Sequence, residues 1–192
     1  MPAPLMSREE IVARLLEIFR ERGYDGASLT DVSAATGLGK SSLYHYFPGG
    51  KHDMGAAVLE QAGAWLERDI VNALTAERPP LRRLDAMFAA LRSFYGGGTR
   101  PCILAALVTG SARKAFQTEL TQSFRRWMQA LAAMLTEAGV GAATARELSE
   151  DLVVSVQGAL IVSRGTDNPD LFGDTMRRQH ARLKAALEAA QR

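Results

Sequence analysis

The stretch SLTDVSAATGLGKSSLYHYF, residues 28–47, decides the fold. A short helix begins near Thr30, a good N-cap with Asp31 in its first turn, buries Val32, Ala35 and Leu29, and ends at Gly37. Gly37-Leu38-Gly39 is too short for anything but a tight turn. A second short helix follows over about Lys40 to Tyr46, and Pro48 closes it by disfavouring helical geometry at Phe47. Leu43 and Phe47 stand four apart, so both can face a core. Lys40, Ser41, Ser42, Tyr44, His45 and Tyr46 remain largely on other faces. That set is cationic, hydroxylic and aromatic with no carboxylate, which suits phosphate and base-edge contact. Two short helices at a Gly-containing turn, the second with such a surface, describe a helix-turn-helix that presents its second helix to the major groove. Singly, Tyr44 and Tyr46 read as half-buried aromatics and Lys40 as a solvated charge; the constellation carries the inference.

Outward from this stretch the chain is helical in both directions. Upstream, Ser7 and Glu10 form a capping box for a helix with the apolar face Ile11, Leu15, Ile18 and Phe19, stopped by Gly23. Downstream, residues 51–77 carry one long helical period through Met54, Val58, Trp65, Leu66, Ile70 and Leu74, broken by Arg78-Pro79-Pro80. Further helical periods cover 81–95, 102–111, 113–138, 142–164 and 169–190, with Gly96-Gly97-Gly98 and Gly139-Val140-Gly141 as breaks. Nothing alternates with strand period for long. The expectation is an all-α fold of about nine helices: a three-helix helix-turn-helix domain over 1–50 and a larger helical domain over 51–192.

Composition bounds the answer without giving it. The 192 residues are 47% hydrophobic and 23% charged, which is ordinary for a globular chain and argues against disorder. The net charge of +2 does not announce a nucleic-acid binder. Distribution says more: no acid falls between Asp31 and Asp53, whereas Lys40, His45, Lys51 and His52 do. The lone Cys102 permits no intrachain disulfide, and opening an apolar helix it reads as buried and inert. The start MPAPLMSREE lacks the basic and apolar regions of a leader, and no window approaches ~18 apolar residues, so a cytoplasmic protein off the membrane is expected. With three His, no nucleophile elbow, no P-loop and no second ligand type at metal spacing around His180, the sequence predicts no catalytic residues, metal or cofactor. Arg177, Arg178, Arg182 and Lys184 read as a solvated helix face.

Leu29-Thr30-Asp31-Val32, Ala35, Gly37, Leu38 and Leu43-Tyr44-His45-Tyr46-Phe47 resemble the DNA-binding signature of the TetR family of repressors. Phe47-Pro48-Gly49-Gly50-Lys51 and Pro101-Cys102-Ile103-Leu104-Ala105-Ala106-Leu107 are similar to its LmrA/YxaF-like branch. The resemblance implies that Lys40, Ser41, Ser42 and His45 lie where base edges are read, while Tyr44, Tyr46, Thr30 and Lys51 mainly grip phosphates. Gly39 departs from the family, which often has a capping Ser there.

The same resemblance implies an effector pocket for a small apolar or aromatic molecule, for which Trp65, Phe88, Leu91, Tyr95, Leu104, Val108, Phe124 and Trp127 are the candidates. For most of these side chains core packing is the plainer account. The last two helices offer Leu152, Val156 and Leu160, then Met176, His180, Leu183 and Leu187. Periodicity leaves these open between packing within the chain and a homodimer interface; the resemblance favours a dimer built as a four-helix bundle. Together these imply a sequence-specific regulator, a repressor released from a palindromic double-stranded DNA operator by its effector. The alternatives are a DNA-binding protein whose body takes a protein partner, and a helical enzyme.

Overall fold

A computed structural model describes residues 6–191; residues 1–5, part of the segment tested above for a leader, and residue 192 lie outside the described residues. The fold is all-α, with no strand among the described residues. The chain divides into two compact units, one running up to Gly63 together with Ile103–Leu120, the other made of Ala64–Cys102 and the chain from Thr121.

In the first unit, helix α1 (Arg8–Gly26) starts with the expected capping box: Ser7 Oγ accepts the Glu10 N–H at 3.2 Å, and the Glu10 carboxylate accepts the Ser7 N–H at 2.8 Å. Ile11, Leu15, Ile18 and Phe19 are buried. The regular helix breaks at Gly23 before a last turn. Helix α2 (Leu29–Thr36) begins earlier than expected: Ser28, not Thr30, is the N-cap. Ser28 is extended, its Oγ accepts the Asp31 N–H at 3.1 Å, and Asp31 accepts back from the Ser28 N–H at 2.9 Å. Ala35, expected inside, is exposed and its carbonyl accepts from Arg14 at 2.9 Å; Thr36 takes the inward place. Gly37 closes α2 with φ of +71°, a left-handed conformation that side chains resist.

Helix α3 (Lys40–Tyr46) then buries Leu43, with Phe47 just beyond it, and helix α4 (Lys51–Trp65) adds Met54 and Val58 to the same core. Helix α7 (Ile103–Val108) packs on α1, and Ile103, Leu107 and Phe116 complete the core. The Phe116 ring sits against Gly55, where any Cβ would stand 2.7 Å from Phe116 Cζ. Helix α8 (Ala112–Ala115) lies just before that ring.

The second unit holds what remains. The period from Lys51 does not run as one α-helix: a π turn at Leu66–Val71 interrupts it, and α5 (Asn72–Thr75) finishes it. The neighbours Ile70 and Val71 are both buried across this wider turn. Helix α6 (Pro80–Phe94) follows, then α9 (Gln117–Glu137), α10 (Ala142–Gly165) and α11 (Asp170–Ala190). The non-helical Phe116 (φ −122°) separates α8 from α9, so the described residues form eleven α-helical segments where nine periods were expected. No described helix is long and apolar enough to cross a membrane.

The stripes read as dimer candidates meet within the chain. Leu152, Val156 and Leu160 on α10, and Met176, Leu183 and Leu187 on α11, are buried where the two helices pack. Gln179 donates to Ser155 at 2.8 Å, and Arg182 pairs with Asp151 at 2.7 Å, along the same seam. His180, half-buried, turns to α6, where its Nε2 lies 2.8 Å from Asp85. An apolar stripe cannot announce whether its cover comes from its own chain or another, and here its own chain supplies it. The opposite side of α10 stays open, with Val154, Ile161 and Val162 exposed at 70%, 64% and 45%.

Candidate nucleic-acid interface

The candidate reading surface is the outward side of α3, a helix of seven residues. So short a helix does not hold itself together in water, and its shape comes from what anchors it. Leu43 and Phe47 fix it from below. The turn before it is tied by Ser33 Oγ donating to the Leu38 carbonyl at 2.6 Å and by the Leu38 N–H donating to Thr36 Oγ1 at 3.3 Å. Lys40, Ser41, Ser42, Tyr44 and His45 are thereby all exposed on one short helix. Tyr44, at 47%, is unusually open for a large aromatic. Thr30 is exposed on α2.

Two residues expected to grip phosphates are already engaged. Tyr46 is half-buried, and its hydroxyl donates to the Met6 carbonyl at 3.2 Å. Lys51 donates to the Asp25 carbonyl at 3.3 Å, with its ammonium 4.9 Å from the centre of the Tyr24 ring. Asp25 is itself held: its carboxylate accepts both the Ser111 N–H, at 2.8 Å, and the Ser111 hydroxyl. These bonds, with Lys51, keep the Asp25 carboxyl below the usual aspartate range. Burial first, then the Asp25 charge, pushes the Tyr24 phenol up.

Several acids of this unit are spent on structure. Glu10 and Asp31 complete capping boxes, and Asp31 also pairs with Arg22. Bonds from Ser28, then Arg22, hold the Asp31 carboxyl below its ordinary value. Glu17 pairs with Arg20, and Asp53 accepts the Gly49 N–H at 2.6 Å. A unit with no basic excess can therefore show an acid-free face at α3. Spacing could not reveal Ser111 or Phe116, because both reach the reading unit from far along the chain.

Gly39 leaves α3 without a side-chain N-cap, although its backbone (φ −67°, ψ 160°) is the one a capping serine adopts, and an added Cβ would meet nothing within 4 Å. Gly39→Ser should raise the melting temperature through a gain of a few tenths to about 1 kcal/mol. Thermal denaturation checks it, and a fall would show the turn cannot take the side chain.

Comparison with known proteins decides the family. Residues 11–58 match the family described as "Bacterial regulatory proteins, tetR family", and residues 80–178 match "Transcriptional regulator LmrA/YxaF-like, C-terminal domain". The chain is 30% identical over 176 residues to the HTH-type transcriptional repressor DhaR of Mycobacterium sp. strain GP1, covering 86% of this chain and 87% of that one. The chain belongs to the TetR family. A TetR regulator from Legionella pneumophila has the same fold, with a TM-score of 0.80, 17% identity and coverage of 92% and 97% of the two chains. So has the TetR-family regulator CifR, solved with 26 base pairs of operator DNA, with a TM-score of 0.71, 17% identity and coverage of 99% and 100%.

This TetR-family chain is thus a DNA-binding transcriptional regulator of the LmrA/YxaF-like branch. Its eight candidate pocket residues divide between the two units. Leu104 and Val108 lie half-buried against the core of the first unit. Trp65, Phe88, Leu91, Tyr95, Phe124 and Trp127 belong to the second. There Trp65 stacks on Phe94 at 3.6 Å between ring centres, and the buried Tyr95 donates to the buried Cys102 sulfur at 3.5 Å. The Trp127 indole N–H is buried without a partner among the described residues.

Proposed function

We propose that this TetR-family regulator is a repressor that binds a palindromic double-stranded DNA operator as a homodimer and leaves it when a small effector occupies the helical body. The observation that carries the reading is the acid-free outward face of α3, set on a buried Leu43 and Phe47. Lys40, Ser41, Ser42 and His45 read base edges; Thr30, Tyr44 and Lys51 hold phosphates, and Tyr46 joins them only by giving up Met6. Residues 1–50 supply the reading surface and 51–192 the sensing and pairing surfaces, with 103–120 bracing the reading unit. The exposed apolar side of α10, Val154, Ile161 and Val162, suits a self-complementary two-fold contact, which places two reading helices on two half-sites. Release follows if the effector binds the two shapes of the dimer with different affinity. The repressor named DhaR and the DNA-bound CifR support the reading.

The test is a mobility-shift titration on duplexes selected from a random pool. Lys40→Ala should weaken binding by about ten- to a hundredfold, the scale of one base-edge contact of ~1–3 kcal/mol. Lys51→Ala should lower the salt slope by about one unit and weaken all duplexes alike. Isotherms that do not move would remove α3 from the interface.

A further inference from the structure

We propose that Arg8, at the start of α1, grips a DNA phosphate beside α3, and that Tyr46 works through it as a positioning residue, keeping its bond to Met6. This rests on the operator reading of α3 and deepens it. Six cations lie in the first 51 residues: Arg8, Arg14, Arg20, Arg22, Lys40 and Lys51. Four are engaged within the chain. Arg14 donates to the Ala35 carbonyl, Arg20 and Arg22 pair with Glu17 and Asp31, and Lys51 donates to the Asp25 carbonyl. Arg8 and Lys40 remain, both exposed and neither hydrogen-bonded nor ion-paired among the described residues. Lys40 is already assigned to the outward face of α3.

Arg8 is nevertheless held in place. Its guanidinium carbon lies 5.7 Å from the centre of the ring of Phe47, the buried residue that ends α3. A ring face attracts the cation but takes none of its five N–H donors in an ordinary hydrogen bond. The planar fork therefore stays free for the oxygens of a phosphate.

Tyr46 fastens the same junction. Its hydroxyl donates to the carbonyl of Met6, two residues before Arg8, at 3.2 Å. Its ring lies edge-on to His45, with ring centres 5.8 Å apart. One side chain thus ties the start of α1 to the end of α3, next to a candidate base reader. Folding alone gives little reason for a cation here. Arg8 is the first residue of α1, where the positive end of the helix dipole disfavours a positive side chain. Its neighbouring acids do not neutralise it. Glu10 accepts the Ser7 N–H, and Glu9 stands about 100° further round the helix.

Mobility-shift titrations of the full chain on the selected operator duplex, at several salt concentrations, test the assignment. Arg8→Ala should lower the salt slope by about one unit and weaken binding about fivefold at about 0.15 M salt, the worth of one released counterion there. Arg8→Lys keeps the charge and should keep the slope. The melting temperature of Arg8→Ala should stay level or rise, because an unfavourable dipole contact is lost. Tyr46→Phe should weaken the parent by up to about fivefold and leave the Arg8→Ala chain unmoved, because the hydroxyl acts through Arg8. An unchanged slope in Arg8→Ala overturns the proposal, and a lower melting temperature beside it would make Arg8 a cover for Phe47. Losses that add in the double variant overturn the role given to Tyr46, whose hydroxyl would then grip DNA itself. Lys40→Ala, run alongside, separates the two readings. If it weakens binding while Arg8→Ala does not, Arg8 alone is withdrawn; if neither does, the operator reading of α3 falls with it.

Discussion

Replacing Leu43 by alanine should lower stability by about 2–5 kcal/mol and abolish operator binding at temperatures where the rest of the chain is still folded. The side chain is fully buried, at 0% exposure, and α3 has seven residues and no capping side chain. Besides Phe47 and the tied turn before it, little else holds Lys40, Ser41, Ser42, Tyr44 and His45 on a common face. Loss of the anchor therefore frays the helix that carries them, and the functional loss exceeds the stability loss. Leu43→Met, which conserves volume, should cost less than about 1.5 kcal/mol and keep DNA binding. Circular dichroism melts beside mobility shifts would show the split. If Leu43→Ala binds operator like the parent, α3 is not anchored in this way.

Phe116→Ala should destabilise the first unit by about 3–5 kcal/mol. The ring is buried against Gly55, packs edge-on to Tyr24 at 5.8 Å and stacks on His52 at 5.0 Å. The converse substitution makes the same point from the other side. Gly55→Ala puts a Cβ 2.7 Å from Phe116 Cζ, a contact that cannot stand without movement of the ring or helix, and overpacking of this kind costs about 1–3 kcal/mol. Combining Gly55→Ala with Phe116→Leu should recover part of that loss, since the two side chains share one space. Denaturant melts of the two single variants and the double variant close the cycle, and strictly additive losses would deny that the ring fills the notch.

How much of this was legible in the sequence depended on range. The turn at Gly37, the anchor pair Leu43 and Phe47, and the capping box at Ser7 are local, and local chemistry names them. The start of α2 slipped because Ser28 and Thr30 are both good caps, and only Asp31 reaching back to Ser28 distinguishes them. Net charge was no guide to the candidate interface, because several of the acids that balance it are bound into caps and ion pairs. Most of the proposed dimer stripe went to internal packing for a similar reason: periodicity shows that a face is covered, not by what. The Asp25–Ser111 bond spans 86 positions, and no local pattern encodes it.

That bond and the Phe116 wedge belong to a segment, Ile103–Leu120, that completes the first unit from beyond the long body helices. During synthesis the ribosome therefore releases the helix-turn-helix well before the piece that seats it. At ~5–20 residues per second the interval is on the order of seconds. A nascent or prematurely terminated chain that ends near Gly63 carries the candidate reading residues but leaves α1 without its cover from α7. Such a fragment, short of part of its core, should be cut by proteases faster than the finished chain.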